Sequence, residues 1–454
     1  MNALPILSGL ATLTLLAGCA TQPDNPGAAP WPPEAAPLAL DCPTGLPPGT
    51  RCLGGRDSAG AYYRVAIPSD WHGDLVLHAH GGPALGEPRE SRVIEDLQRW
   101  SVMLRAGYAW AGSSYHQGGV AVRSAAEDTE RLRRLFVAHV GTPRHTLLHG
   151  QSWGASIAAR AAELYGHAAP GQRAPYDALL LSAGVLGGGT RSYDFRLDLR
   201  VVYQALCHNH PRADEPAYPL WQGLPMDATL TRSELAVRAN ECLGLRLPPA
   251  QRSTEQQRKL QTLLEVIRIP ESTVLSHLSW GTWEFQDIAQ HRAGGGAPFG
   301  NIGARYTGSP DDDQLNAQVE RYRADAAAVA RFGADTDPTG RIDQPMLSVH
   351  GIDDGTAFVE LDAEFARTVA SAGRTDRLVQ TFTRDRDHAY LSDAAYATLL
   401  QALMRWIEQG EKPTPESIAA ACPMLEVRFG PGCRFEPGYR PAPLDSRVAP
   451  RERP

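Results

Sequence analysis

No lysine or arginine occurs before Arg51. The positive n-region that usually precedes a secretory h-region is therefore missing. Over the whole chain 44 Lys and Arg stand against 51 Asp and Glu, a net charge of −7. That balance leaves no basic footprint for nucleic acid. There is no internal repeat, which excludes solenoid and propeller architectures. No apolar run reaches the roughly 20 residues of a membrane span. Cysteine is scarce, seven in 454 residues. Histidines cluster without a metal-ligand spacing. His78 and His80 form an H-x-H pair with no third ligand at useful spacing, and Cys207-His208-Asn209-His210 reads as a turn carrying a disulfide cysteine. No metal and no cofactor is expected.

What is present begins at the N-terminus. Residues 3–18 are apolar and uncharged, a length that suits an h-region. They end in Leu16-Ala17-Gly18-Cys19, which resembles the lipobox of bacterial lipoproteins. The resemblance implies a signal peptide over 1–18, lipidation of Cys19, and a protein lipid-anchored in the bacterial cell envelope. Ala20 after that cysteine leans towards the outer membrane. Residues 19–40 are proline-rich and read as a semi-rigid tether. Six further cysteines form three sequence-close couples: Cys42 with Cys52, Cys207 with Cys242, and Cys422 with Cys433. An even set in an exported chain points to disulfides, although six cysteines allow fifteen connectivities.

With 43% hydrophobic residues the chain can bury a large core. Apolar runs of strand length fall at 62–67, 75–80, 108–114, 178–184, 345–351 and 378–382, with a further strand in 145–154. Between them lie helical stretches near 90–105, 122–140, 155–164, 359–370 and 394–408. Strands alternating with helices predict a mostly parallel sheet with helices on both faces. Residues 187–335 interrupt the alternation with helical stretches and the tryptophans Trp221, Trp280 and Trp283. Asp311-Asp312-Asp313 inside this insertion is most simply a solvated helix start. The tail, 411–454, is rich in Pro and Gly and is expected to wrap the surface, pinned by the last cysteine couple.

The organising stretch is 145–154, H-T-L-L-H-G-Q-S-W-G. A buried strand runs into a turn at Ser152, with Gly150 and Gly154 at the spacing G-x-S-x-G and a small-residue helix after it. This is similar to the nucleophile elbow of the α/β-hydrolase superfamily. Four motifs agree with that superfamily in order: H-G-G-P (81–83 preceded by His80), G-Q-S-W-G, H-G-I-D-D (350–354) and D-H-A (387–389). The resemblance covers residues 60–186 and 340–408. It implies a core split into 41–186 and 336–410, with 187–335 a mainly helical cap inserted after the sixth core strand.

It also implies the chemistry. Ser152 is the expected nucleophile, Asp354 the acid (Asp353 in reserve), and His388 the base. The N–H groups of Gly82 and Trp153 are the expected oxyanion donors. Asp385 and Asp387 are placed to tune His388. Tyr115, Trp280, Trp283 and Phe285 are candidates to line the substrate pocket. The function so implied is a serine hydrolase acting on carboxylic esters of a small molecule or oligomer. The alternative is a serine exopeptidase, since H-G-G-P and S-W-G also resemble proline iminopeptidases. Glu284 and Asp287 would then hold a substrate amine. A non-catalytic envelope lipoprotein is the third reading, and it has no need of a strained serine elbow.

Overall fold

The computed structural model describes residues 31–168, 170–388 and 390–454. The expected signal peptide, Cys19 and most of the expected tether lie outside them. Trp31–Pro33 carries no helix or strand, and Glu34–Pro454 forms one unit.

Nine strands form one sheet in the order β1-β2-β3-β5-β4-β6-β7-β8-β9. The first three are β1 (Leu38–Leu40), β2 (Arg51–Arg56) and β3 (Tyr62–Ile67). They pair antiparallel with one another and onto β5 (Ala109–Ser113). From β5 onwards all pairs are parallel: β4 (Leu75–Ala79), β6 (Thr146–Gln151), β7 (Ala178–Ser182), β8 (Met346–Gly351) and β9 (Leu378–Thr383). Central β6 lies between β4 and β7, so a side chain at its C-terminal end is flanked by two strand ends. This is the α/β-hydrolase arrangement.

The central strands β4 to β8 are buried along their whole length because both faces are covered. Alternate side chains point to opposite faces, so Leu148, Leu179 and Leu181 join one apolar cluster while Leu147 and Leu180 join the other. The first cluster is closed by the helices Val122–His139 and Trp153–Tyr165, the second by Glu90–Arg99 and Asp393–Gln409. Ala155, Ala158, Ala159, Ala161 and Ala162 are all fully buried. These short side chains let the helix after β6 lie close against sheet and neighbour.

Between β7 and β8 stand seven α-helices of the cap, among them Asp194–Cys207 and Val274–Asp287. The helix Asp312–Gln318 starts where the acidic run predicts, with Asp311 Oδ1 accepting from Gln314 N at 2.9 Å. With β1 and β2 counted, the insertion follows the seventh strand. Disulfides join Cys42–Cys52, Cys207–Cys242 and Cys422–Cys433.

Two boundaries differ from the sequence reading. The tether does not extend to residue 40: Leu38–Leu40 pairs with β2, and the Glu34 carboxylate accepts from Ser58 N at 2.8 Å. The tail is not only a wrap, since Pro415–Phe429 is a helix lying against Asp393–Gln409. Its N-cap Thr414, reciprocal with Ser417, and Pro415 in the first turn make a strong start signal. The final residues then cross to the cap. Arg451 Nη2 lies 2.6 Å from Asp198 Oδ2, and Arg453 Nη2 lies 2.7 Å from Asp194 Oδ2.

Candidate active site

Ser152 sits between the end of β6 and the helix Trp153–Tyr165 with φ 58° and ψ −124°. A non-glycine residue there carries strain on the order of 1–3 kcal/mol, which the surroundings must hold. They leave little choice. A Cβ on Gly150 would meet Gly154 O at 2.3 Å, and one on Gly154 would meet Ala79 O at 2.0 Å. A Cβ on Gly81 would meet the Gln151 side chain at 2.4 Å and the Ser152 Cβ at 2.9 Å. Gly150, Gly154 and Gly81 are therefore places with no room for a side chain, whereas a Cβ on Gly82 would meet nothing within 4 Å.

Three side chains from three strand ends converge. His388, after β9, has Nε2 2.7 Å from Ser152 Oγ and Nδ1 2.7 Å from Asp354 Oδ2. Asp354 follows β8 and is 3% exposed, so water cannot compete for it. Its Oδ1 accepts from Thr356 N at 2.7 Å and Ala357 N at 3.1 Å. Burial would raise the Asp354 carboxyl, but hydrogen bonds and charge from His350 and His388 hold it well below the usual carboxylate range. Asp353, the reserve acid, points outward and lies 3.6 Å from Arg386. Asp385 pairs with Arg434 at 3.1 Å.

Two contributors escape a reading by motif. His350 is fully buried in β8, with Nδ1 2.5 Å from Asp362 Oδ2 and Nε2 3.3 Å from Asp354 Oδ2. Burial pulls its imidazole down, but the two carboxylates win and push it up to about 10, which favours the charged form. The signal for it was its spacing, four residues before Asp354. Gln151 donates from Nε2 to His388 O at 3.0 Å, tying the base's loop to the elbow. Its place beside the serine was visible, its partner was not.

Ser152 opens into a cavity of about 270 Å³. Gly81, Gly82, Pro83, Gln151, Trp153, Val185 and His388 line the sheet side, and Tyr193, Arg196 and Trp280 the cap side. Arg92, Arg99 and Thr356 complete the lining. Trp153 is the first residue of its helix, so its N–H has no acceptor within the helix. Gly82, at φ 71°, borders the same space.

Of the four aromatic pocket candidates only Trp280 is in the lining. Tyr115 is buried beneath the site, its ring stacked on His80 at 4.2 Å and edge-on to Trp153 at 5.9 Å. Trp283 lies under the Arg232 guanidinium at 4.5 Å, and Phe285 stacks on Phe299 at 4.5 Å. One helix cannot aim all of these into one cavity: at 100° per residue, Phe285 points about 140° from Trp280. Glu284 and Asp287 are outside the lining too. Glu284 lies 3.5 Å from Arg232, and burial pushes its carboxyl up to about 7 against the pull of Arg232 and Arg196. Asp287 accepts from Val120 N at 2.9 Å.

His78 and His80 have different surroundings. His78 Nδ1 is 2.9 Å from His149 Nδ1, whereas His80 stacks on Tyr115. Among the described residues no group of three or more His, Cys, Asp or Glu stands where it could hold a metal ion.

No protein-family model matches the chain, and no curated protein matches it by sequence. Solved structures match in overall path. An esterase from Aspergillus oryzae is 12% identical at a TM-score of 0.44, over 84% of this chain and 86% of that one. Feruloyl esterase B from the same organism is 13% identical at a TM-score of 0.42, over 80% and 81%. A rice cell wall degrading esterase from Xanthomonas oryzae is 12% identical at a TM-score of 0.37, over 84% and 90%.

Proposed function

We propose that the protein is a serine hydrolase of carboxylic esters, with Ser152, His388 and Asp354 as its catalytic triad. The observation that carries this reading is the unbroken chain of contacts from Asp354 through His388 to a serine on a strained elbow, open to a cavity. His388 Nε2 takes the Ser152 Oγ proton as the oxygen attacks the ester carbonyl. The N–H groups of Gly82 and Trp153 hold the oxyanion; losing one such donor costs on the order of a hundred- to a thousand-fold in rate. Collapse of the tetrahedral species passes the proton from His388 to the departing alkoxide, leaving an acyl-enzyme. Water, deprotonated by the same imidazole, releases the acid and restores Ser152.

The cavity lining favours esters over aminopeptidase substrates. An N-terminal ammonium needs a carboxylate to receive it, and the lining contains arginines and no aspartate or glutamate. Glu284 and Asp287, the two acids suited to that task, have other partners.

The test uses p-nitrophenyl esters of short, long and aromatic acids beside proline and alanine p-nitroanilides. Ester turnover is expected, and it falls by a factor of 10³ or more in Ser152→Ala. Turnover confined to the anilides overturns the reading in favour of an exopeptidase.

The setting we propose is the bacterial cell envelope, with the enzyme anchored through a lipid on Cys19. The lipobox-like sequence before Cys19 and the three disulfides support export. Fatty-acid labelling of the full chain in bacteria, abolished in Cys19→Ala, is the expected result.

A further inference from the structure

Arg196, third in the cap helix Asp194–Cys207, is only 6% exposed and still lines the Ser152 cavity. Its guanidinium is packed among rings: Cζ lies 4.2 Å from the Trp280 centroid, 4.6 Å from Phe195 and 5.2 Å from Tyr193. Its Nε is buried without a hydrogen-bond partner, and among the described residues no carboxylate lies within ion-pair distance. Glu284, the nearby acid, is engaged by Arg232 instead. Burying a guanidinium without a counter-charge is costly, and ring faces recover only part of that.

The other cavity cations differ. Arg92 is balanced by Asp96 at 3.1 Å and donates to Gly81 O at 2.5 Å. Arg99 is exposed, where water screens it. One unbalanced, desolvated positive charge therefore remains, on a planar group that lines the cavity and has a free donor.

We propose that the ester cleaved at Ser152 carries a free carboxylate, bound by Arg196. The inference rests on the serine hydrolase reading and specifies its substrate class. A planar guanidinium edge matches a carboxylate with two parallel N–H···O bonds. A single negative charge balances the single unpaired cation. A cavity of about 270 Å³ keeps that carboxylate within a few bonds of the scissile carbonyl.

The test compares matched esters with the charge on either side of the bond. On the acyl side these are monoethyl adipate, its terminal carboxamide, ethyl hexanoate and ethyl 6-aminohexanoate. On the alcohol side they are 4-acetoxybutyrate and its amide. In wild type, one of the two series is expected to show kcat/KM at least tenfold higher for the carboxylate than for the amide. The ammonium ester is expected to be the poorest of its series. In Arg196→Met the carboxylate-to-amide ratio falls towards one, and Arg196→Lys restores part of it. Equal rates for carboxylate and amide in both series of the wild type overturn the proposal, whether or not the variants fold. A phosphorylated counterpart preferred over the carboxylate overturns it in favour of a phosphate site.

Failure of the parent reading looks different: no ester is cleaved, or cleavage survives in Ser152→Ala. Calorimetry of monoethyl adipate on Ser152→Ala then decides the anion site by itself. Binding at least tenfold tighter than that of the amide sustains it, and equal or no binding overturns it.

Discussion

Asp354 Oδ2 is shared between two imidazoles, His388 Nδ1 at 2.7 Å and His350 Nε2 at 3.3 Å. Only His388 also touches the serine. His350 is the inner neighbour. It is clamped between Asp354 and Asp362, and it holds the acid charged and in place. It touches no reacting atom and is a positioning residue.

His350→Gln is expected to lower kcat by about 10- to 100-fold with little change in KM, by analogy with the partners that orient metal-binding histidines. The acid limb of the kcat/KM profile should shift to higher pH, because Asp354 loses a contact that keeps it ionised. An unchanged pH profile would reduce His350 to a packing residue.

Stability should fall on the alkaline side for the same reason. His350 titrates at about 10 in the folded chain against an ordinary 6.5. Its stabilisation is therefore complete below pH 6.5 and lost as pH climbs through about 10. Asp354 has the opposite sense: its contribution is present above its ordinary value of 3.8 and disappears on acidification. Thermal melts from pH 8 to 10.5 should show a steeper drop in Tm for wild type than for His350→Gln.

Glu284 opposes stability at neutral pH. Burial lifts its carboxyl from 4.5 to about 7, so stability is greatest below pH 4.5 and declines as pH rises through about 7. Glu284→Gln, measured by denaturant melts, should match wild type near pH 5. At pH 8 it should be more stable by on the order of 2–3 kcal/mol.

Gly154→Ala should be among the most damaging single-methyl changes. The added carbon would stand 2.0 Å from Ala79 O, a backbone atom fixed by the β4–β6 pairing. A loss of roughly 3 kcal/mol or more is expected. The new methyl group would also have to push the elbow away from Gly82, so the soluble fraction should lose esterase activity out of proportion to its Tm.

The core of this fold was legible because its signals are local. Strand β7 is a run of leucines bounded by a turn, and its observed limits differ from the expected ones by two residues at one end. The elbow could be read because its steric demand is written as two glycines at fixed spacing. What stayed hidden depends on the partner. Leu38–Leu40 is a strand only because β2 offers a ladder, and nothing in a proline-rich stretch announces that. Tyr115 follows a strand at the right place for a pocket wall, but at φ 59° its ring turns under His80. Arg196 looks like an ordinary helix-surface arginine in the sequence. Its isolation among aromatic rings is created by Trp280, from a helix that begins well over sixty residues later.

The last residues, crossing onto the cap, act as its fastening. Asp194 and Asp198, both almost fully buried, receive their cations from Arg453 and Arg451, which follow them by 259 and 253 residues. Without those arginines, closing the helix that holds Arg196 would bury two carboxylates that have lost their ion-pair partners. The roof over Ser152 is therefore fastened by the far end of the chain, and removing Arg451 and Arg453 should loosen the helix that holds Arg196 before it disturbs the sheet.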